Sequence, residues 1–263
     1  MMEKASTAAG KALSKVPELT LGFWIIKVVA TTLGETGGDW VTMSLNLGYL
    51  VGTAIFAVFF LGLVSGQIKA RRFYPFLYWG TIIATTTLGT TLADFADRSL
   101  AIGYPGGVAI VATLLVASLG TWYWSEGNVS VQDIATPRVE WFYWVTILFS
   151  QTLGTALGDW AAGTDRGGMG MGYENGALVF GAGLVIVAAL YAFWKGASRA
   201  GLFWAAFVLT RPLGATLGDL LDKPLAEGGL GVSRLLATAI LLAIIVAGVL
   251  FLPQRAVRRS ASG

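Results

Sequence analysis

Apolar residues gather in eight blocks along the chain, at about 19–40, 47–66, 74–95, 103–124, 139–160, 174–194, 200–221 and 232–252. Each is close to the roughly 20 residues that an α-helix needs to cross a bilayer. The blocks predict eight helices. Inside alternate blocks the pattern repeats: Phe23-Trp24 … Leu33-Gly34-x-x-x-Gly38-Asp39, Tyr78-Trp79 … Leu88-Gly89-x-x-x-Ala93-Asp94, Tyr143-Trp144 … Leu153-Gly154-x-x-x-Gly158-Asp159 and Phe203-Trp204 … Leu213-Gly214-x-x-x-Gly218-Asp219. Eight residues separate the Trp from the Leu in every copy, and each copy ends on an aspartate within an apolar block. The expected fold is therefore all-α, an integral membrane bundle of eight transmembrane helices built from four parallel helical-hairpin repeats.

Composition supports a membrane protein: mean hydropathy is +0.69, with 55% hydrophobic and 13% charged residues. The 35 glycines and 10 tryptophans agree, since glycine lets membrane helices approach closely and Trp concentrates at membrane interfaces. Cysteine and histidine do not occur, so disulfides, thiolate or imidazole metal ligands and a histidine base are excluded. Ligands must be met by oxygen, aromatic faces or backbone. No cofactor is expected, and the net charge of +3 reads as topology rather than nucleic-acid binding.

The chain divides into a lead-in at 1–18, repeats at 19–72, 73–137, 138–198 and 199–252, and a basic tail at 253–263. Lys4, Lys11, Lys15, Lys69, Arg71, Arg72, Arg138, Lys195, Arg199, Arg255, Arg258 and Arg259 fall on one side; Arg98, Arg166, Lys223 and Arg234 fall on the other. The positive-inside rule places both termini of a multi-pass protein in the cytoplasm. The signature aspartates then lie at one depth, near the outer ends of helices 1, 3, 5 and 7.

Ionisable residues within a membrane helix are costly and face a bundle interior or a watery cavity. Asp39, Asp94, Asp159 and Asp219 are accordingly the candidate ion-binding residues. Thr32, Thr87 and Thr152 precede their aspartates by seven positions, two helical turns, and would form an oxygen-lined track unless they bond back to their own helices. Repeat 1 adds Lys27 and Glu35 on the row that carries Asp39, and repeat 4 adds Arg211 beside Pro212. Glu35 is expected to pair with Arg211, with Lys27, or with both, as a gate that makes the assembly asymmetric. The small-x-x-x-small pairs suit helix packing, and the signature Trp residues suit an aromatic belt at the cytoplasmic interface, with Trp40 and Trp160 marking the outer one.

The fourfold Trp-x8-Leu-Gly-x3-[Gly/Ala]-Asp pattern resembles that of bacterial multi-pass membrane proteins made of four tandem two-helix repeats of unknown function. The resemblance covers about residues 20–252 and implies architecture and a membrane location without an activity. Gly34-Glu35-Thr36-Gly37-Gly38-Asp39 also resembles the Glu-x-Gly-Asp signature of manganese and calcium exchangers, with one extra residue in the spacing and the Glu in repeat 1 alone.

Three functions fit. One is a secondary transporter or exporter of a hard cation, for which oxygen ligands suit Mg²⁺, Mn²⁺, Ca²⁺, Na⁺ or H⁺. The second is a proton-coupled transporter of a small organic solute. The third is a structural or accessory protein whose repeats only pack. No enzyme is expected, because no nucleophile and base, phosphate loop or metal-ligand cluster can be found.

Overall fold

A computed structural model describes residues 13–100, 102–134 and 136–258. Lys4, Lys11 and Arg259 lie outside these residues. Eight α-helices fall within them: α1 (Leu21–Asp39), α2 (Gly48–Lys69), α3 (Pro75–Asp94), α4 (Gly103–Glu126), α5 (Pro137–Ala162), α6 (Gly172–Phe193), α7 (Arg199–Asp222) and α8 (Arg234–Phe251). The odd helices have strong start signals. The side chains of Thr20, Thr136 and Ser198 accept hydrogen bonds from the backbone N–H of Phe23, Val139 and Gly201, and α3 begins on Pro75. Between the two helices of repeats 1 to 3 the chain turns through Gly48, Gly103 and Gly172, all at positive φ, where a side chain would be strained.

The odd helices form a closed ring in which α1 packs on α3, α3 on α5, α5 on α7 and α7 on α1. Their signature glycines fit the crossings. A Cβ added at Gly34 would run into Thr86, one at Gly154 into Arg211, and one at Gly214 into Thr31. At Gly89 it would lie 2.9 Å from the Thr152 backbone nitrogen. Each repeat therefore presses one equivalent position against the first signature glycine of the repeat before it, and repeat 1 closes the cycle on repeat 4. Small residues permit this approach.

The even helices stand outside. Each packs chiefly on the odd helix of the next repeat: α2 on α3, α4 on α5, α6 on α7 and α8 back on α1. The hairpins are thus splayed, and every repeat buries its apolar face against its neighbour. The outer surfaces carry large exposed apolar side chains, among them Phe59 on α2, Val116 on α4, Ile186 on α6 and Leu250 on α8. Such a surface calls for lipid. Five helices (α2, α4, α6, α7 and α8) are long and apolar enough to cross a membrane. Helices α1, α3 and α5 are of similar length but face one another, and carry threonines and acids instead of a uniformly apolar surface.

The lead-in and tail, read from sequence as a polar approach and a short basic end, meet in a two-stranded antiparallel sheet, β1 (Leu13–Pro17) and β2 (Ala256–Arg258). The sheet sits at the N-terminal ends of the odd helices. Lys15 makes a 2.6 Å ion pair with Glu140 and donates to the carbonyls of Gln67 and Ile68, tying α5 to the end of α2.

At this end the signature Trp residues form a plug. Phe23 meets Trp79, Tyr78 meets Trp144, Tyr143 meets Trp204, and Trp24 meets Phe203 around the ring. The hydroxyls of Tyr78 and Tyr143 are 2.8 Å apart. This corrects the expectation of a belt at the lipid interface: Trp79, Trp144 and Trp204 are buried in protein. The reason is position, since each signature Trp precedes by seven residues (two turns) the side chain that presses on the neighbouring glycine, and so faces the ring. Trp124, 89% exposed on α4, faces outward instead.

Candidate functional site: a buried carboxylate centre

With the aromatic ends of the odd helices together, their C-terminal ends also meet, and they bring the four signature aspartates with them. Asp39, Asp94, Asp159 and Asp219 are all buried. Carboxylate oxygens of Glu35, Asp159 and Asp219 lie within 4.8 Å of one another, and those of Asp39, Asp219 and Asp222 do the same. Asp219 belongs to both groups.

Two cations thread the cluster. Lys223 Nζ lies 2.5 Å from Asp39 and 2.9 Å from Asp219, joining repeat 1 to repeat 4. Arg98 Nε donates to Asp94 at 2.6 Å, and its Nη2 lies 3.9 Å from Asp159, joining repeats 2 and 3. Both follow their own aspartate by four residues. Asp97 and Asp222 also occupy equivalent positions, three after Asp94 and Asp219, so repeats 2 and 4 share an Asp-x-x-Asp-[Arg/Lys] ending that repeats 1 and 3 lack. The fourfold backbone thus carries a twofold arrangement of charge.

Of the pairings expected for Glu35, the one with Arg211 forms, at 2.9 Å, with both side chains buried. Thr90, which occupies in repeat 2 the position that Glu35 holds in repeat 1, lies 2.5 Å from Arg211 Nη2. Lys27 does not join Glu35. It sits deeper, 4.3 Å from the centre of the Phe207 ring and 3.5 Å from Gln151 Oε1. The eight-residue separation places it about 12 Å along α1 from Glu35.

Thr32, Thr87 and Thr152 do not form a track leading to the acids. Their hydroxyls donate to the carbonyls of Val28, Ile83 and Leu148, each four residues back on the same helix. The hydroxyl brought to the centre is that of Thr90. Sequence reading also missed Arg98, Lys223, Asp97 and Asp222, which fall beyond the predicted helix ends, and Arg234, which stands at the start of the eighth block and reads only as a topology charge. Arg234 reaches Asp222 at 3.4 Å. The available signal was the four-residue spacing of Asp94 to Arg98 and Asp219 to Lys223, one helical turn.

Seven buried acids (Glu35, Asp39, Asp94, Asp97, Asp159, Asp219 and Asp222) stand against four cations at this level, Arg98, Arg211, Lys223 and Arg234. Within the described residues, Asp39 Oδ1, Asp94 Oδ2, Asp159 Oδ2 and both oxygens of Asp97 and of Asp222 are buried without a hydrogen bond. Negative charge in excess of its partners is expensive in a dry interior. Beyond the end of α3, burial first and the Asp94 charge second push Asp97 up to about 7. Oxygens spaced up to 4.8 Å apart suit ligands on opposite sides of one hard cation, for which metal–oxygen distances run from about 2.0 to 2.6 Å.

A family model described as a repeat of unknown function, DUF347, matches residues 22–73, 77–128, 142–196 and 202–256. The chain belongs to that family. The four DUF347 matches cover most of every helix and include the four aspartates, and each begins just before a signature aromatic pair. No curated protein and no solved structure matches the chain.

Proposed function

We propose that this DUF347 protein is a secondary transporter or exporter of a hard cation. All eight helices cross a bacterial inner membrane, with the β1–β2 end and both termini in the cytoplasm. One observation carries the reading: carboxylates of repeats 1, 3 and 4 converge in buried groups, Arg98 ties Asp94 of repeat 2 to Asp159, and the acids outnumber the cations. A scaffold gains nothing from such a centre, because buried ion pairs stabilise little compared with apolar packing. Intramembrane acids of this kind mark ion paths. Oxygen ligands select Mg²⁺, Mn²⁺ or Ca²⁺, or a proton, over copper and zinc. The test is cation flux into proteoliposomes by wild type and by Asp159→Asn at equal incorporation. Flux in wild type that the substitution abolishes supports the proposal; absence of flux for every cation tested returns the protein to a structural role.

The solute-transport reading has one observation in its favour, a cavity of about 630 Å³ between α1, α6 and α7, lined by Trp24, Phe203, Tyr191 and Thr210 among apolar neighbours. It opens on the flank of the bundle, and none of the clustered carboxylates lines it. The cation reading is therefore the stronger.

A further inference from the structure

Lys223 is the side chain in the centre whose charge and position most resemble those of a bound cation. Its ammonium contacts acids from two repeats at 2.5 and 2.9 Å, and these two acids belong to the three-carboxylate group Asp39, Asp219 and Asp222. Its main chain is pinned. The Lys223 N–H donates to Asp219 O at 2.9 Å, its carbonyl accepts from Gly231 at 2.9 Å, and Gly229 packs so tightly beneath it that a Cβ there would collide with the Lys223 carbonyl. The residue stands just past the end of α7. Its flexible four-carbon stem can therefore release the ammonium without moving the bundle.

Arg98, its counterpart in the twofold charge pattern, is built otherwise. Its planar guanidinium donates through Nε to Asp94 while reaching toward Asp159, a fork that no spherical ion reproduces. A second observation favours a ligand beside Lys223 rather than at Arg98: among the described residues the three-carboxylate groups take in Asp39, Asp219 and Asp222 but neither Asp94 nor Asp97. Asp222, with both oxygens buried and free of hydrogen bonds although Arg234 stands 3.4 Å away, and Asp39 Oδ1, likewise unbonded, complete an oxygen set that Lys223 and Arg234 together leave unsatisfied.

We infer that Lys223 is a tethered competitor cation, which a hard divalent ion displaces from Asp39 and Asp219 when it binds between them and Asp222. The inference rests on the transport reading and adds its regulation. Competition sets the affinity low enough for the ion to leave again, and it keeps the carboxylates partnered through both halves of a cycle. Displacement of one positive charge by two also leaves the centre one charge more positive, so each binding event moves net charge.

The experiment uses Mn²⁺ alone as probe and the full chain in detergent. Binding to wild type and to Lys223→Gln is measured by electron paramagnetic resonance of free Mn²⁺. The substitution should tighten binding by about tenfold, the factor expected if the lysine occupies the pair about nine-tenths of the time. Because Lys223→Gln risks misfolding, wild type is also treated with an amine-acetylating reagent over a Mn²⁺ titration and analysed by mass spectrometry. Lys223 modification should rise with occupancy while that of exposed Lys195 stays constant. Mn²⁺ binding with constant or falling Lys223 modification, or weaker or unchanged binding in Lys223→Gln, overturns the competitor role; flux that depends on Asp159 would still stand. Absence of Mn²⁺ binding in both proteins, together with absence of cation flux, removes the competitor and the transporter at once.

Discussion

Arg211 and Glu35 are 176 residues apart in sequence and 2.9 Å apart in space, with no measurable exposure of the arginine. The pair forms because α7 packs on α1 across the seam where the last repeat meets the first. Removing one partner leaves a buried charge alone and should cost about 3–5 kcal/mol. Arg211→Met is therefore expected to lower the thermal midpoint in detergent strongly, and Arg211→Met with Glu35→Gln to recover most of the loss.

The glycine contacts predict a sharp contrast. At Gly214 a Cβ would collide with Thr31, including its main-chain carbonyl carbon at 2.8 Å, whereas at Gly62 nothing lies within 4 Å. Gly214→Ala should destabilise by about 1–3 kcal/mol, the usual cost of overpacking. Gly62→Ala should be neutral or stabilising by up to about 1 kcal/mol, from helix propensity alone. Denaturation of the two variants side by side checks this.

Burial of the signature Trp residues is testable in the same way. Trp79, in contact with Phe23 and Tyr78 and donating to Gln254, should cost about 3–5 kcal/mol on replacement by alanine. Trp124 faces outward, and Trp124→Ala should stay within about 0.5 kcal/mol. Equal effects would return the signature Trp to a membrane belt.

Asp97 gives a pH signature. Its folded value of about 7 lies above the ordinary carboxylate value of 3.8, so its ionisation opposes folding. The penalty is absent below the unfolded value, grows as pH rises between the two, and is complete above the folded one. Asp97→Asn should raise the thermal midpoint at pH 8, and the gain should shrink steadily toward pH 4.

The repeat pattern makes much of this architecture legible in sequence. Four aspartates at one position in four equivalent helices must lie at one level if the helices run parallel, and small-x-x-x-small pairs announce close crossings. What escapes is what depends on partners distant in sequence. The strand pairing of 13–17 with 256–258 has no local signal, because five polar and apolar residues at a chain end specify no mate. The Trp residues fit a general tendency of membrane proteins, yet their seven-residue offset from Thr31, Thr86, Gln151 and Arg211 already placed them on the ring face. Lys223 and Arg98 read as outer-loop charges because both stand just beyond the predicted helix ends at 221 and 95, although their i+4 spacing from an aspartate is visible.

Asp219 is shared by both three-carboxylate groups, so one substitution tests the whole centre. Calorimetric titration of the purified protein with Mn²⁺ or Ca²⁺ should show saturable binding in wild type and its loss in Asp219→Asn with the fold retained. Identical heats in the two proteins, or no saturable binding in wild type, would contradict a cation centre built from the four repeats.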